Sequence, residues 1–111
     1  MSEERERRVG QNEALYRQVN ERIEDLNEAF GAVTGDFAIV CECGNLNCME
    51  QVTVPRELYE RTRAEATRFI VKAGHEEQDI EDIVEREGAW SIVEKGHPAA
   101  RHVAEESDPR G

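Results

Sequence analysis

A chain of 111 residues is the size of one domain with a modest core, and its 25 Asp and Glu against 14 Lys and Arg leave a formal charge of −11. That excess repels a phosphate backbone and argues against nucleic acid as a partner. No run approaches the roughly 18 consecutive apolar residues of a membrane span, and the charged start Met1-Ser2-Glu3-Glu4-Arg5 has no apolar core of a signal peptide, so a cytoplasmic protein that avoids membranes is expected.

The segment 1–11 reads as a flexible, charged N-terminus punctuated by Gly10, with Asn12 placed as the N-cap of a helix. Leu15, Val19, Ile23, Leu26 and Phe30 follow at spacings of four, four, three and four, a single apolar stripe that Gly31 ends. Glu13, Arg17, Glu21, Glu24, Asp25 and Glu28 take the opposite side and are expected to face water. The stripe is expected to pack on the domain's own sheet, or alternatively to zip to a second copy as a short coiled coil.

Phe37 to Cys41 and Gln51 to Val54 read as two strands of a hairpin. Pro55 is suited to the first position of a short helix through about Ala66, on which Leu58, Tyr59, Thr62 and Ala66 recur at helical spacing. Thr67 to Lys72 reads as a strand that closes at Gly74, followed at once by His75. Ile80 to Val84 and Ala89 to Val93 flank Gly88 as a second hairpin, in which Trp90 is expected to fill core or sheet face. Ala99 to Glu106 is expected to form a closing helical turn or two, and 107–111 a loose tail. Residues 75–111 hold 11 acidic and 4 basic side chains, a solvated surface or a face for a basic partner.

All three cysteines of the chain fall within eight residues, Cys41-Glu42-Cys43-Gly44-Asn45-Leu46-Asn47-Cys48. Thiols so concentrated, in a compartment that keeps them reduced, point to zinc. Zinc–thiolate bonds of about 2.3 Å in a tetrahedron bring sulfurs to about 3.8 Å from one another, so the backbone must curl, which Gly44, Asn45 and Asn47 permit. The spacing C-x-C-x4-C departs from the commoner C-x2-C knuckle.

A fourth ligand is needed, and His75 is the choice because a strand end and the Gly74 turn carry it toward the loop. His97 and His102 read as solvent-facing, and water, Glu42 or Glu50 are the alternatives. Three cysteines and one histidine make a closed site, and closed zinc sites are structural, whereas catalysis needs an open position. No metalloprotease helix motif, phosphate-binding glycine loop or nucleophile elbow is present, so no enzyme is expected.

Asn12-Glu13-Ala14-Leu15-Tyr16-Arg17, Val19-Asn20-Glu21-Arg22-Ile23, Cys41-Glu42-Cys43-Gly44, Arg68-Phe69, Gly74-His75-Glu76 and Val93-Glu94-Lys95 resemble blocks of small uncharacterised proteins of high-GC Gram-positive bacteria. The resemblance spans most of the chain. It implies the same cysteine triplet followed by G-H-E, favouring His75 over His97 as ligand, and it implies no activity. Proline often precedes the glycine in that group, where Ala73 stands here.

The expected molecule is a single α+β domain over 12–106, with an N-terminal amphipathic helix and a shorter helix packed on a small antiparallel sheet. A zinc knuckle of Cys41, Cys43, Cys48 and His75 ties the hairpin to the strand end. The expected function is that of a cytoplasmic structural-zinc module, interacting or regulatory, that binds a protein partner and forms a homodimer through the N-terminal helix if the stripe pairs with itself. The alternative is a thiol-based redox sensor that releases zinc on cysteine oxidation.

Overall fold

A computed structural model describes residues 3–29, 36–43, 45, 48, 50–76, 81–96 and 98–110. Phe30, Gly31, Gly44, Asn47, Ile80, His97 and the side chain of Glu28, invoked above, lie outside the described residues. The α+β class holds. In chain order the elements are α1 (Glu3–Ala29), β1 (Asp36–Val40), β2 (Gln51–Pro55), α2 (Arg56–Arg63), β3 (Arg68–Lys72), β4 (Glu81–Arg86), β5 (Trp90–Lys95) and α3 (Pro98–Glu106). The strands form two small antiparallel sheets, β1-β2 and β3-β5-β4.

The first hairpin keeps the period-2 rule. Ile39 opposes Val52 and Phe37 opposes Val54, so one face collects the apolar side chains. Pro55 ends β2 with φ −64° and ψ 143°, a geometry its ring favours, and acts as the N-cap of α2 and not as its first helical residue. α2 then buries Leu58, Tyr59 and Thr62, and Tyr59 meets Phe37 edge-on at 5.3 Å. It stops at Arg63, three residues short of the sequence expectation, where the chain turns through hydrogen bonds from Glu65 N to Thr62 O and from Arg68 N to Glu65 O.

In the second sheet β5 is central, and both it and β3 are buried along nearly their whole length, as strands covered on both faces must be. The edge strand β4 alternates instead and carries an irregular register between Ile83 and Glu85. Trp90 joins the core as expected, alongside Ile39, Val54, Leu58, Tyr59, Phe69, Ile70, Val71, Ile92 and Val93.

α1 packs with the face opposite to the one expected. It begins at Glu3, runs through Gly10 without a break and makes Asn12 an interior residue. Its apolar stripe faces outward, with Leu15 51%, Val19 39% and Leu26 49% exposed and Ile23 only half-buried. Buried in its place are Ala14 and Tyr16 together with Glu13, Arg17, Asn20 and Glu24. The face expected to meet water is the one packed inward, apart from exposed Asp25 and half-buried Glu21.

The physical reason is that each inward polar group meets a dedicated partner. Glu13 grips the buried Lys95 Nζ at 2.5 Å, and Lys95 also pairs with Glu81. Arg17 donates to the carbonyls of Ala66 at 2.5 Å and Ala104 at 2.7 Å. Glu24 takes Arg56 at 3.3 Å and Arg110 at 3.1 Å. Three cations surround the buried Phe69 ring, Arg17 at 4.6 Å, Lys95 at 5.5 Å and Arg63 at 5.6 Å from its centroid, and the negative ring face complements them.

Turning α1 by half a revolution would bury the stripe at about 1.5–3 kcal/mol per side chain. It would also take Glu13 from Lys95, Arg17 from the Ala66 and Ala104 carbonyls, Asn20 from Val40 and Glu42, and Glu24 from Arg56 and Arg110. At about 3–5 kcal/mol for each buried charge that loses a partner, these losses together exceed the gain on a stripe whose side chains are already about half covered.

The terminal segment expected to be a loose tail carries Arg110, which forks onto Glu21 at 2.5 Å and Glu60 at 2.7 Å and so lies against α1 and α2. Among the described residues no helix is long and apolar enough to cross a membrane.

Candidate metal centre

The ten-residue connection between β1 and β2 carries the cysteines. Its first part continues toward β3, with Cys41 N donating to Glu50 O at 2.9 Å across the hairpin and Glu42 N donating to Ile70 O at 2.9 Å. Lys72 N then donates to Cys41 Sγ at 3.1 Å, which sets that sulfur at the end of β3. Cys48 N bonds Asn45 O at 3.0 Å, a turn that folds Cys48 back toward the first two cysteines. All three cysteines are buried and none is in a disulfide.

His75 arrives from the other side. β3 ends at Lys72, His75 N returns a hydrogen bond to Lys72 O at 2.9 Å, and Gly74 takes φ +94°, a conformation that disfavours a side chain. The turn places His75 Nδ1 3.6 Å from Cys41 Sγ and 3.4 Å from Cys48 Sγ. The three sulfurs and one imidazole nitrogen all lie within 4.8 Å of one another. The sequence reading named these same four residues.

The donor set and its spacing fit a single metal ion. Zinc bonds of about 2.3 Å to sulfur and about 2.05 Å to nitrogen, at tetrahedral angles, give sulfur–nitrogen edges of about 3.6 Å. The separations of His75 Nδ1 from Cys41 Sγ and Cys48 Sγ, 3.6 and 3.4 Å, are close to that length. Three soft thiolates and one imidazole are also the set that zinc takes in closed sites.

The alternative ligands sit elsewhere. Glu42 is fully buried and turned away to Arg63, Ile70 N and Asn20. Glu50 is exposed and pairs with Lys72 at 3.4 Å, and His102 faces solvent beside Glu106.

Thiols this close share charge unevenly. The Cys41 thiol donates to Cys43, and that bond, helped by Asn45 N–H and His75, holds Cys43 down to about 5 against the cost of burial. Cys41 is pushed up, first by that same bond and then by burial, and Cys48 is pushed up by burial. A divalent cation would favour the deprotonated form of all three, since only thiolates ligate.

No family model matches the chain, and no curated protein and no solved structure is similar to it.

Residues to which sequence reasoning gave no supporting role stand behind the ligands. Glu76, next to His75, accepts Gly74 N–H at 3.1 Å and the Ser91 hydroxyl at 2.5 Å, which clamps the turn presenting the imidazole. Its carboxyl is held below the ordinary range: burial works against this, and the Ser91 bond and backbone N–H groups outweigh it. Asn20 and Arg63, on α1 and α2, meet Glu42 between the first two cysteines. A polar pair at Asn20 and Glu42 carries no local signal of contact across 22 residues.

Proposed function

We propose that the protein is a zinc-stabilised interaction module, in which Cys41, Cys43, Cys48 and His75 hold one Zn2+ as a structural staple and the outward stripe of α1 receives a protein partner. The observation that carries the metal reading is the convergence of three sulfurs and His75 Nδ1 within 4.8 Å. Bound zinc would neutralise the thiolates and fix the β1–β2 connection to the end of β3. Four protein ligands fill a tetrahedron and leave no position for a substrate, which favours a structural over a catalytic role. The interaction half of the reading draws on Leu15, Val19 and Leu26, an exposed apolar row on a chain otherwise rich in charge.

Metal analysis of the purified protein tests the site. One zinc per chain is expected, with sulfur-to-metal charge-transfer bands of a tetrahedral centre in the cobalt-substituted form. His75→Ala should weaken binding strongly, and a variant that keeps its zinc undiminished would move the fourth ligand to a carboxylate or another histidine. Bands of five- or six-coordinate cobalt would overturn the closed site.

The second reading is a thiol redox sensor, favoured by the mutual closeness of the three sulfurs. Peroxide would take two electrons from one thiolate to give a sulfenic acid, and a neighbouring thiol would displace water from it to close a disulfide, releasing zinc. Stoichiometric zinc release at low peroxide separates this reading from an inert staple.

A further inference from the structure

We propose that Glu42 is the positioning residue of the metal centre and couples its occupancy to the docking of α1. The proposal rests on the zinc reading of the four ligands and extends it to the helix.

Glu42 stands between two ligands in the chain, yet its side chain points away from them and is fully buried. Oε1 accepts Arg63 Nη2 at 3.0 Å and Ile70 N at 2.9 Å, and Oε2 accepts Asn20 Nδ2 at 2.7 Å. One carboxylate thus joins the end of α2, the middle of β3 and the centre of α1. Arg63 is itself fixed, donating also to Arg68 O at 2.8 Å. A buried carboxylate with three donors is a stiff post, because each lost bond exposes charge to a medium that cannot solvate it.

Asn20 makes the link to α1 specific. Its amide closes a two-way pair with β1, accepting Val40 N–H at 2.7 Å and donating to Val40 O at 2.8 Å, in addition to its bond with Glu42. Val40 immediately precedes the first ligand. Asn20 therefore holds residues 40 and 42 on either side of Cys41, and displacing Cys41 and Cys43 from a metal pulls on that amide.

Around Asn20, α1 is docked by the buried Tyr16 and by further polar side chains, Arg17 on the Ala66 and Ala104 carbonyls and Glu24 on Arg56 and Arg110, while its apolar residues Val19 and Leu26 look outward. Held by directional bonds, the helix is sensitive to a small shift of its acceptors. Such coupling is reciprocal: an ion that fixes the loop stabilises the docked helix, and loosening the helix weakens the ion by the same factor. Partners placed behind metal ligands typically change affinity by about 10–100-fold when removed.

The experiment uses the full-length zinc-loaded protein, a competing chelator to read zinc affinity, and backbone hydrogen exchange to read α1. Removing zinc from the wild type should speed exchange at α1 amides around residues 16–24 by about tenfold or more, beyond any change at β5. Asn20→Ala should lower zinc affinity about tenfold or more and make α1 exchange indifferent to zinc. Mere destabilisation would leave the zinc dependence in place. Glu42→Gln, close in shape but uncharged, should lower affinity likewise.

One equivalent of zinc in the wild type with α1 exchange unchanged on its removal would overturn the coupling alone. So would wild-type affinity in Asn20→Ala. A wild type that binds no zinc would overturn the metal reading, and the coupling with it. The wild-type exchange comparison stands even if a variant fails to fold.

Discussion

Replacing Lys95 by methionine would test the claim that α1 is held by charge rather than by its apolar stripe. Lys95 is fully buried, and its ammonium lies against the carboxylates of both Glu13 and Glu81. Burial by itself would lower the Lys95 pKa, but the two carboxylates outweigh it and raise it, so the amine is charged throughout the ordinary range. Methionine fills much of the same volume, so the change removes charge with little cavity.

What remains is a pair of buried carboxylates facing each other. Removing one partner of a buried ion pair costs about 3–5 kcal/mol, a large part of the roughly 5–15 kcal/mol that holds such a domain together. Urea unfolding of the zinc-loaded protein is the assay. The deficit should also depend on pH. Glu13 is already raised well above the carboxylate range, chiefly by burial, and losing Lys95 raises it further. An acid with a raised folded pKa contributes stability below its unfolded value and loses it as pH rises, so the deficit should be largest at neutral pH and shrink below about pH 4.5. The triple variant Glu13→Gln, Lys95→Met, Glu81→Gln should recover most of the loss. A single-variant cost under about 1 kcal/mol, or a triple variant no better than the single one, would refute the reasoning.

Leu15→Ser and Leu26→Ser should each change stability by less than about 0.5 kcal/mol, because half of each side chain already meets water; sedimentation should show weakened self-association if copies pair through this stripe. Glu24, raised to about 7 by burial and by Glu60, contributes stability that is present below its ordinary 4.5 and lost as pH climbs through about 7. Glu60, held down to about 2 chiefly by Arg110, contributes in the opposite sense, present above 4.5 and lost as pH falls toward 2. The urea midpoint should therefore decline between pH 4.5 and 7 through this pair, and Glu24→Gln should flatten that decline. Phe69→Leu keeps an apolar side chain but removes the ring shared by three cations; at about 0.5–1 kcal/mol per cation it should cost about 2 kcal/mol in the same assay. Chelation should lower the thermal unfolding temperature, and acid should release the ion, because the ligating sulfurs must lose their protons to bind.

The candidate site was legible because its signals are local. Three cysteines share one loop, and His75 follows a strand end and the Gly74 turn, so composition and punctuation sufficed. The hairpins were legible for a similar reason: alternation at Val52 and Val54, and the turn at Gly88, are read within a few residues. The setting of α1 was not legible. Periodicity reports that Leu15, Val19 and Leu26 share a side, but the inward choice depends on what awaits the other side. Glu13 finds Lys95 at a separation of 82 residues, and Arg17 finds the Ala66 and Ala104 carbonyls at 49 and 87. Glu42, weighed as a metal ligand from its place in the motif, turned out to serve the fold because Asn20 and Arg63 claim its oxygens.

The anchoring of Glu42 also bears on how portable this loop is. Cut out as a short peptide, or transplanted onto another hairpin, the segment Cys41 to Cys48 would bring its sulfurs but leave behind the asparagine, the arginine and the strand amide that shape it. Engineers seeking a compact chelating cassette should expect to carry over three contributing scaffolds, not eight residues.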